Sequence, residues 1–122
     1  METNIYSIIE SAVNLPSDFH LKNISAFTLL QESNYFESYN KIHEESIISK
    51  LNSNPSLVDQ WLQWSEDQRT SSGWYFKKLA FGRRFVGYYP KVEEFFEIKS
   101  FDKFKVCAAY IKLQAERIRT LF

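Results

Sequence analysis

Residues 74–89, WYFKKLAFGRRFVGYY, decide the fold because they interrupt a largely helical sequence with two runs of β-type residues. Aromatic and β-branched residues dominate positions 74–76 and 85–89, which is typical of strands. Positions 80–83 between them contain a glycine, which suits a tight connection. The pattern predicts a β-hairpin over residues 74–89, and a helical turn over residues 77–81 is the alternative interpretation. Because a lone hairpin is marginally stable in water, we expect it to pack against helices.

Apolar side chains recur at intervals of three and four before the hairpin, which predicts amphipathic helices. Breaks are expected near Pro16 and before Pro55, because the residue before a proline is driven out of the helical region. A further break is expected near Ser33 and Asn34, either of which can cap the next helix. The residues that define the apolar faces are Ile5, Ile8, Ile9, Ala12, Val13, Ile24, Phe27, Leu30, Tyr35, Phe36, Tyr39, Ile47, Ile48, Leu51, Leu57, Val58, Trp61 and Leu62.

A last helix is expected to begin after Ser100. Its apolar residues form more than one stripe, which is typical of a helix at the centre of a core. One stripe contains Phe101, Phe104, Ala108, Ile111, Ala115 and Ile118. The sequence therefore predicts a predominantly helical α+β protein, with four to five helices around one core and a β-hairpin near residues 74–89. At 122 residues the chain is expected to form a single domain over residues 1–122.

The net charge is zero, because fifteen basic residues balance fifteen acidic ones. A neutral protein lacks the broad positive field that drives non-specific binding to nucleic acids or membranes. Binding of either kind would therefore need a local charged patch. Acidic groups at Glu44 and Glu45, and at Glu93, Glu94 and Glu97, are typical of solvated helix faces, or alternatively of a docking patch for a basic partner.

The single cysteine, Cys107, excludes an intrachain disulfide and disfavours a secreted disulfide scaffold. The first residues show no signal-peptide pattern, and no apolar stretch approaches the roughly 20 residues of a membrane span. We therefore expect a cytoplasmic protein with no membrane partner.

Residues with catalytic or metal-binding chemistry are few. His20 and His43 lack the spacing of a metal site, and no His, Cys and Asp cluster accompanies them. Cys107 is expected to be a core residue, because free cysteine is among the most buried residue types. The sequence predicts no catalytic residue, no metal and no cofactor.

A polar segment precedes the hairpin. Ser71, Ser72 and Gly73 lack the glycine spacing and the Lys-Ser/Thr ending of a phosphate-binding loop, and are explained as a turn. Glu66, Asp67 and Arg69 are explained as a solvated helix end. An enzyme of unrecognised type that uses these three residues with Ser71 or Ser72 is the less favoured hypothesis.

The hairpin has the composition of an interface. Tyrosine, tryptophan and arginine are enriched at the residues that dominate binding energy. The candidate partner-binding residues are Trp74, Arg83, Arg84, Tyr88 and Tyr89, together with Glu66, Asp67 and Arg69. A hairpin also presents edge donors to a partner strand. The alternative is a small nucleic-acid-binding regulator that uses Lys77, Lys78, Arg83 and Arg84 among aromatic residues, as single-strand platforms do.

The C-terminal half contains three stretches of characteristic composition. They are residues 64–76, WSEDQRTSSGWYF, then Val86-Gly87-Tyr88, and then residues 107–111, CAAYI. In this respect the chain resembles small bacterial immunity proteins of contact-dependent and other polymorphic toxin systems. The resemblance implies a cytoplasmic protein that binds and neutralises a cognate toxin domain and has no catalysis of its own. The near-zero net charge departs from the acidic character common among members that block nucleases. The resemblance transfers no binding residue and implies no oligomeric state.

Overall fold

The computed structural model of the protein describes residues 5–67, 73–89 and 97–121. Within these ranges the chain forms seven α-helices, two short 3-10 helices and three strands. The α-helices are α1 (Ile5–Val13), α2 (Leu15–Lys22), α3 (Ala26–Glu32), α4 (Tyr35–Ser38), α5 (Glu44–Ser53), α6 (Ser56–Asp67) and α7 (Lys103–Leu121). The strands are β1 (Gly73–Lys78), β2 (Arg84–Tyr89) and β3 (Ile98–Ser100), and the 3-10 helices are Tyr39–Lys41 and Ala80–Gly82.

The predominantly helical α+β class predicted from the sequence is confirmed. The described helices outnumber the predicted four to five because the break expected at Pro16 lies inside a helix, α2, and because α4 and α5 are separate helices with the 3-10 segment Tyr39–Lys41 between them. Pro16 lies in the first turn of α2, where its missing N–H has no helical partner to lose, so the proline begins a helix instead of only ending one. The chain then turns at Asn23, which adopts a left-handed conformation with φ of 54°.

The hairpin is confirmed, and it belongs to a three-stranded antiparallel sheet of order β1-β2-β3. Lys77 and Lys78 lie in β1, so the alternative of a helical turn over residues 77–81 is wrong. The helical turn is instead the 3-10 segment Ala80–Gly82 at the tip. The sequence did not predict β3, whose Ile98 pairs with Val86.

The buried side chains form one cluster that joins the helices to the sheet. Helix α7 is central to it, since it contacts α1, α3, α5, α6 and all three strands. Trp61 on α6 donates a 2.8 Å hydrogen bond from its indole N–H to the carbonyl oxygen of Val13 at the end of α1. Tyr110 of α7 packs edge-on against Trp61 and stacks on Phe76 of β1, with ring centroids 5.5 Å apart in the stacked pair.

Candidate interaction face of the sheet

The register of the strands separates two faces of the sheet, because successive side chains of a strand point in opposite directions. Phe76 stacks on α7, so the side chains in step with it, such as Val86 and Ile98, form the inner face. The opposite face is here called the outer face. It contains Tyr75, Lys77, Phe85, Gly87, Glu97 and Lys99, and Arg83 and Phe101 continue it beyond the strand ends.

One row of the outer face is a phenyl ring between two lysines. Phe85 pairs with Lys77 of β1 on one side and with Lys99 of β3 on the other. The two Nζ atoms lie 5.4 Å and 6.0 Å from the ring centroid of Phe85, within the range of cation–π attraction. Both lysines are exposed, whereas Phe85 is only 7% exposed. The row therefore presents two exposed ammonium groups and little aromatic surface.

The next row depends on the absence of a side chain at Gly87. The ring of Tyr75 packs against Phe85 at 5.7 Å, and its hydroxyl lies where a Cβ of residue 87 would meet it at 2.7 Å. Partial burial raises the pKa of Tyr75, and the nearby carboxylate of Glu97 raises it further. On the outer face, therefore, the aromatic rings pack against one another and against the lysine side chains beside them.

At the hairpin tip the outer face ends in exposed aromatic residues. The guanidinium of Arg83 lies 5.8 Å from the ring centroid of Phe101, which is 70% exposed. Phe81 is 91% exposed and has φ of 62°, a conformation that non-glycine residues rarely adopt. Neither burial nor backbone preference favours a phenylalanine at this position. An exposed ring held in such a backbone conformation motivates a functional hypothesis.

The candidate residues predicted from the sequence do not form one surface. Arg83 lies on the outer face, and Tyr89, 58% exposed, ends β2 in step with it. Trp74 and Tyr88 lie on the inner side, half-buried, with ring centroids 5.2 Å apart. Their partner-binding role stays a prediction, although the sheet directs them away from Arg83.

Arg84, which the sequence predicts as a partner-binding residue, is buried. It is 8% exposed, because its place in β2 turns it toward the inner face. One guanidinium nitrogen donates a 2.9 Å hydrogen bond to the carbonyl of Gly82, which ties the side chain to the hairpin tip. Its charge opposes the burial that raises the pKa of the Cys107 thiol, so the two groups lie near each other in the core.

Cys107 is fully buried on α7, as the sequence predicted for a core residue. Burial raises the pKa of its thiol, which disfavours the thiolate needed for nucleophilic chemistry. The described side chains contain no group of three His, Cys, Asp or Glu residues that could hold a metal ion. His20 and His43 are both exposed.

Of the residues in the enzyme hypothesis, only Glu66 and Asp67 lie in the described ranges. Both are exposed at the end of α6, and Asp67 accepts a 2.8 Å hydrogen bond from the amide of Gln63. Arg69, Ser71 and Ser72 lie outside the described residues, as do Glu93 and Glu94. The exposure of Glu66 and Asp67 agrees with their interpretation as part of a solvated helix end.

Two residues of the outer face, Phe101 and Lys99, and one residue of the hairpin tip, Phe81, were missed as site residues. Phe101 was assigned to the apolar stripe of the last helix, but α7 begins two residues later and Phe101 is exposed. Asp102 accounts for this boundary, since its carboxylate accepts a 3.2 Å hydrogen bond from the N–H of Lys105. Lys99 was missed with β3. Phe81 was placed in the connection between the two strands of the hairpin. A large apolar residue in a turn was the sequence signal that could have identified it as a site residue.

Comparison of the chain with protein-family models, with curated proteins and with solved structures finds no match. Within the described residues, no helix has both the length and the apolar character required to cross a bilayer.

Proposed function

We propose that this chain is a non-enzymatic protein-binding module. In its most specific form the proposal is a cytoplasmic immunity protein that binds and neutralises a bacterial toxin domain. The observation that carries the proposal is the exposure of two phenylalanines near the hairpin tip, Phe81 in the connection and Phe101 against Arg83. Aromatic residues and arginine are enriched at interface centres, where they supply much of the binding energy.

The placement of these residues also supports a binding role. Phe81 and Phe101 are the kind of large apolar side chains that folding normally buries. Their neighbours at the tip are basic, so the apolar surface is small and bordered by charge, which is typical of an interface centre with a polar rim. The toxin assignment rests on the resemblance of residues 64–76, 86–88 and 107–111 to immunity proteins.

The proposal is tested by inspecting the neighbouring reading frames for a toxin domain and co-expressing the chain with the product of any frame that encodes one. We expect a complex that survives purification, and protection of the host cell. The double variant Phe81→Ser/Phe101→Ser should weaken binding at least tenfold, since each buried aromatic anchor contributes about 1–2 kcal/mol or more. The matched control is Leu21→Ser on α2, which removes a side chain that is 80% exposed elsewhere. Absence of both complex and protection would contradict the toxin assignment.

Binding of single-stranded nucleic acid is a second candidate function. The lysines that flank Phe85 on a sheet with Tyr75 favour it, since such proteins combine aromatic rings with basic side chains. Against it, the Phe85 ring is 7% exposed and offers little surface for a base to stack on. Affinity for an oligonucleotide that falls steeply with salt would favour this candidate, and weak binding at low salt would remove it.

A further inference from the structure

The zero net charge of the chain conceals two halves of opposite sign. Residues 5–67, which form α1 to α6, carry nine carboxylates against three lysines, a net charge of −6. Residues 73–89 and 97–121 carry ten basic side chains against three carboxylates, a net charge of +7. The hairpin contributes four of these basic residues and no acidic one. Such an asymmetry orients an approaching charged partner even when the total charge is zero.

Many of the basic side chains in the C-terminal part are already engaged. Lys112 donates hydrogen bonds to Tyr35 and to the carbonyl of Tyr39, and Arg119 pairs with Glu116. Arg84 is buried beneath the sheet. The row formed by Lys77, Phe85 and Lys99 differs, because its two ammonium groups are exposed and, within the part of the chain that the structure describes, lie over aromatic rings.

This row is preorganised for anionic groups. A lysine on the surface ordinarily loses rotamer freedom when it pairs with a carboxylate. Here Phe85 holds Nζ of Lys77 on one side and Nζ of Lys99 on the other, so part of that loss has occurred before binding. Glu97 lies one row away beside Tyr75, which confines the positive surface to the Phe85 row and the tip.

We propose that the outer face docks an acidic protein surface, whose carboxylates pair with Lys77 and Lys99 across Phe85 while Phe81 and Phe101 contact its apolar part. The inference rests on the proposed protein-binding function and adds the chemistry of the partner. Charge complementarity selects an acidic occupant. A protein is favoured over a nucleic acid because the lysines cover Phe85, whereas the exposed rings lie at the tip.

The test uses the full chain and three probes: poly-L-glutamate, poly-L-lysine and a 20-nucleotide oligo(dT). Fluorescence anisotropy is measured at low and moderate salt. We expect binding to poly-L-glutamate that weakens with salt, and none to poly-L-lysine. Lys77→Gln/Lys99→Gln should weaken it about tenfold, since each exposed pair contributes up to about a factor of five. The matched control is Lys22→Gln/Lys41→Gln, which removes the same charge from exposed lysines of the N-terminal half.

Each outcome decides the inference. Loss of poly-L-glutamate binding in Lys77→Gln/Lys99→Gln but not in the control supports it. Equal loss in both variants, or no binding by the unaltered chain, overturns it. Tighter binding of oligo(dT) that is lost in the same variant also overturns it, in favour of a nucleic acid. Failure of the co-expression experiment with intact poly-L-glutamate binding would remove the toxin assignment and leave the acidic-partner inference standing.

Discussion

The side-chain hydroxyl of Ser65 accepts a 2.7 Å hydrogen bond from the backbone N–H of Phe76, and both groups are buried. Phe76 lies in β1, an edge strand whose other side pairs with β2. The bond therefore occupies a donor that would otherwise point away from the sheet, and it fixes α6 along this edge. The hypothesis that a partner strand adds to the hairpin edge does not hold at this position of β1, because α6 already satisfies the donor.

Ser65→Ala should destabilise the protein by about 1–3 kcal/mol, because it leaves the buried N–H of Phe76 without its acceptor. Urea denaturation followed by tryptophan fluorescence measures the change. The control is Ser49→Ala, which alters an exposed serine of α5 and should shift the free energy of unfolding by less than about 0.5 kcal/mol. Equal effects of the two substitutions would mean that the bond does not hold α6 to the sheet.

Tyr35 connects α4 to α7 through its hydroxyl. The hydroxyl donates a 3.0 Å hydrogen bond to the carboxylate of Glu116 and accepts a 3.1 Å bond from Nζ of Lys112. Tyr35→Phe keeps the ring and removes both bonds, so we expect a loss of about 1–2 kcal/mol in the free energy of unfolding. Tyr6→Phe is the matched control, since Tyr6 is 84% exposed. An unchanged stability in Tyr35→Phe would show that Lys112 and Glu116 pair equally well without the phenol.

Gly87 makes room for the ring of Tyr75 on the outer face. A Cβ at residue 87 would lie 2.6 Å from a ring carbon of Phe85 and 2.7 Å from the Tyr75 hydroxyl oxygen. Gly87→Ala should therefore destabilise the sheet by about 1–3 kcal/mol through crowding. In the Tyr75→Leu background the same substitution should cost less, and a double-mutant cycle measures the difference.

Gly82→Ala separates crowding from backbone strain. A Cβ at residue 82 meets no atom within 4 Å, but the residue has φ of 82°. Its cost should therefore be conformational, about 1–2 kcal/mol, and independent of Tyr75. For the double-mutant cycle at Gly87 and Tyr75, additive effects on the free energy of unfolding would contradict the interpretation that Gly87 makes room for the Tyr75 ring.

The sequence predicted those parts of the molecule that depend on local patterns. Trp61 and Ile47 follow helical spacing and are buried, and the glycine-bearing connection of the hairpin lies where its composition indicates. The parts it missed depend on tertiary contacts. Strand β3 has three residues, too few for a periodic pattern to distinguish it from a loop, and it exists through its pairing with β2.

The candidate site was harder to predict for the same reason. Arg83 and Arg84 are adjacent and chemically identical, yet the pleat of β2 sends one toward Phe101 and the other into the core. The strand register decides which of the two arginines points outward and which is buried. That register is set by the apolar residues of the inner face. The opposite charges of the two halves were available in the sequence, since they require only a division of the net charge at about residue 70.

The thiol of Cys107 and the phenols of Tyr35 and Tyr110 are buried, so the free energy of unfolding depends on pH in the alkaline range. Burial is the largest cause that raises the pKa of each group above its ordinary value, 9.0 for the thiol and 10.0 for the phenols. In the unfolded chain these groups ionise above those values, whereas the folded protein keeps the protons. The stability they contribute is therefore complete below about pH 9 and is lost as the pH rises. Lys112, whose pKa burial lowers, acts with the opposite sign.

Cys107→Ala should remove the first part of this alkaline decline. In the unaltered protein we expect the free energy of unfolding to fall from about pH 9, at a rate that approaches 1.4 kcal/mol per pH unit for the thiol alone. In Cys107→Ala the fall should begin near pH 10, where the phenols of the unfolded chain ionise, even though the variant is less stable at pH 7 through its small cavity. Urea denaturation at half-unit steps from pH 7 to 10.5 measures both curves. Parallel curves between pH 9 and 10 would show that the thiol is not protected from ionisation, and hence that the contact between α7 and the buried end of β2 opens to water in the folded protein.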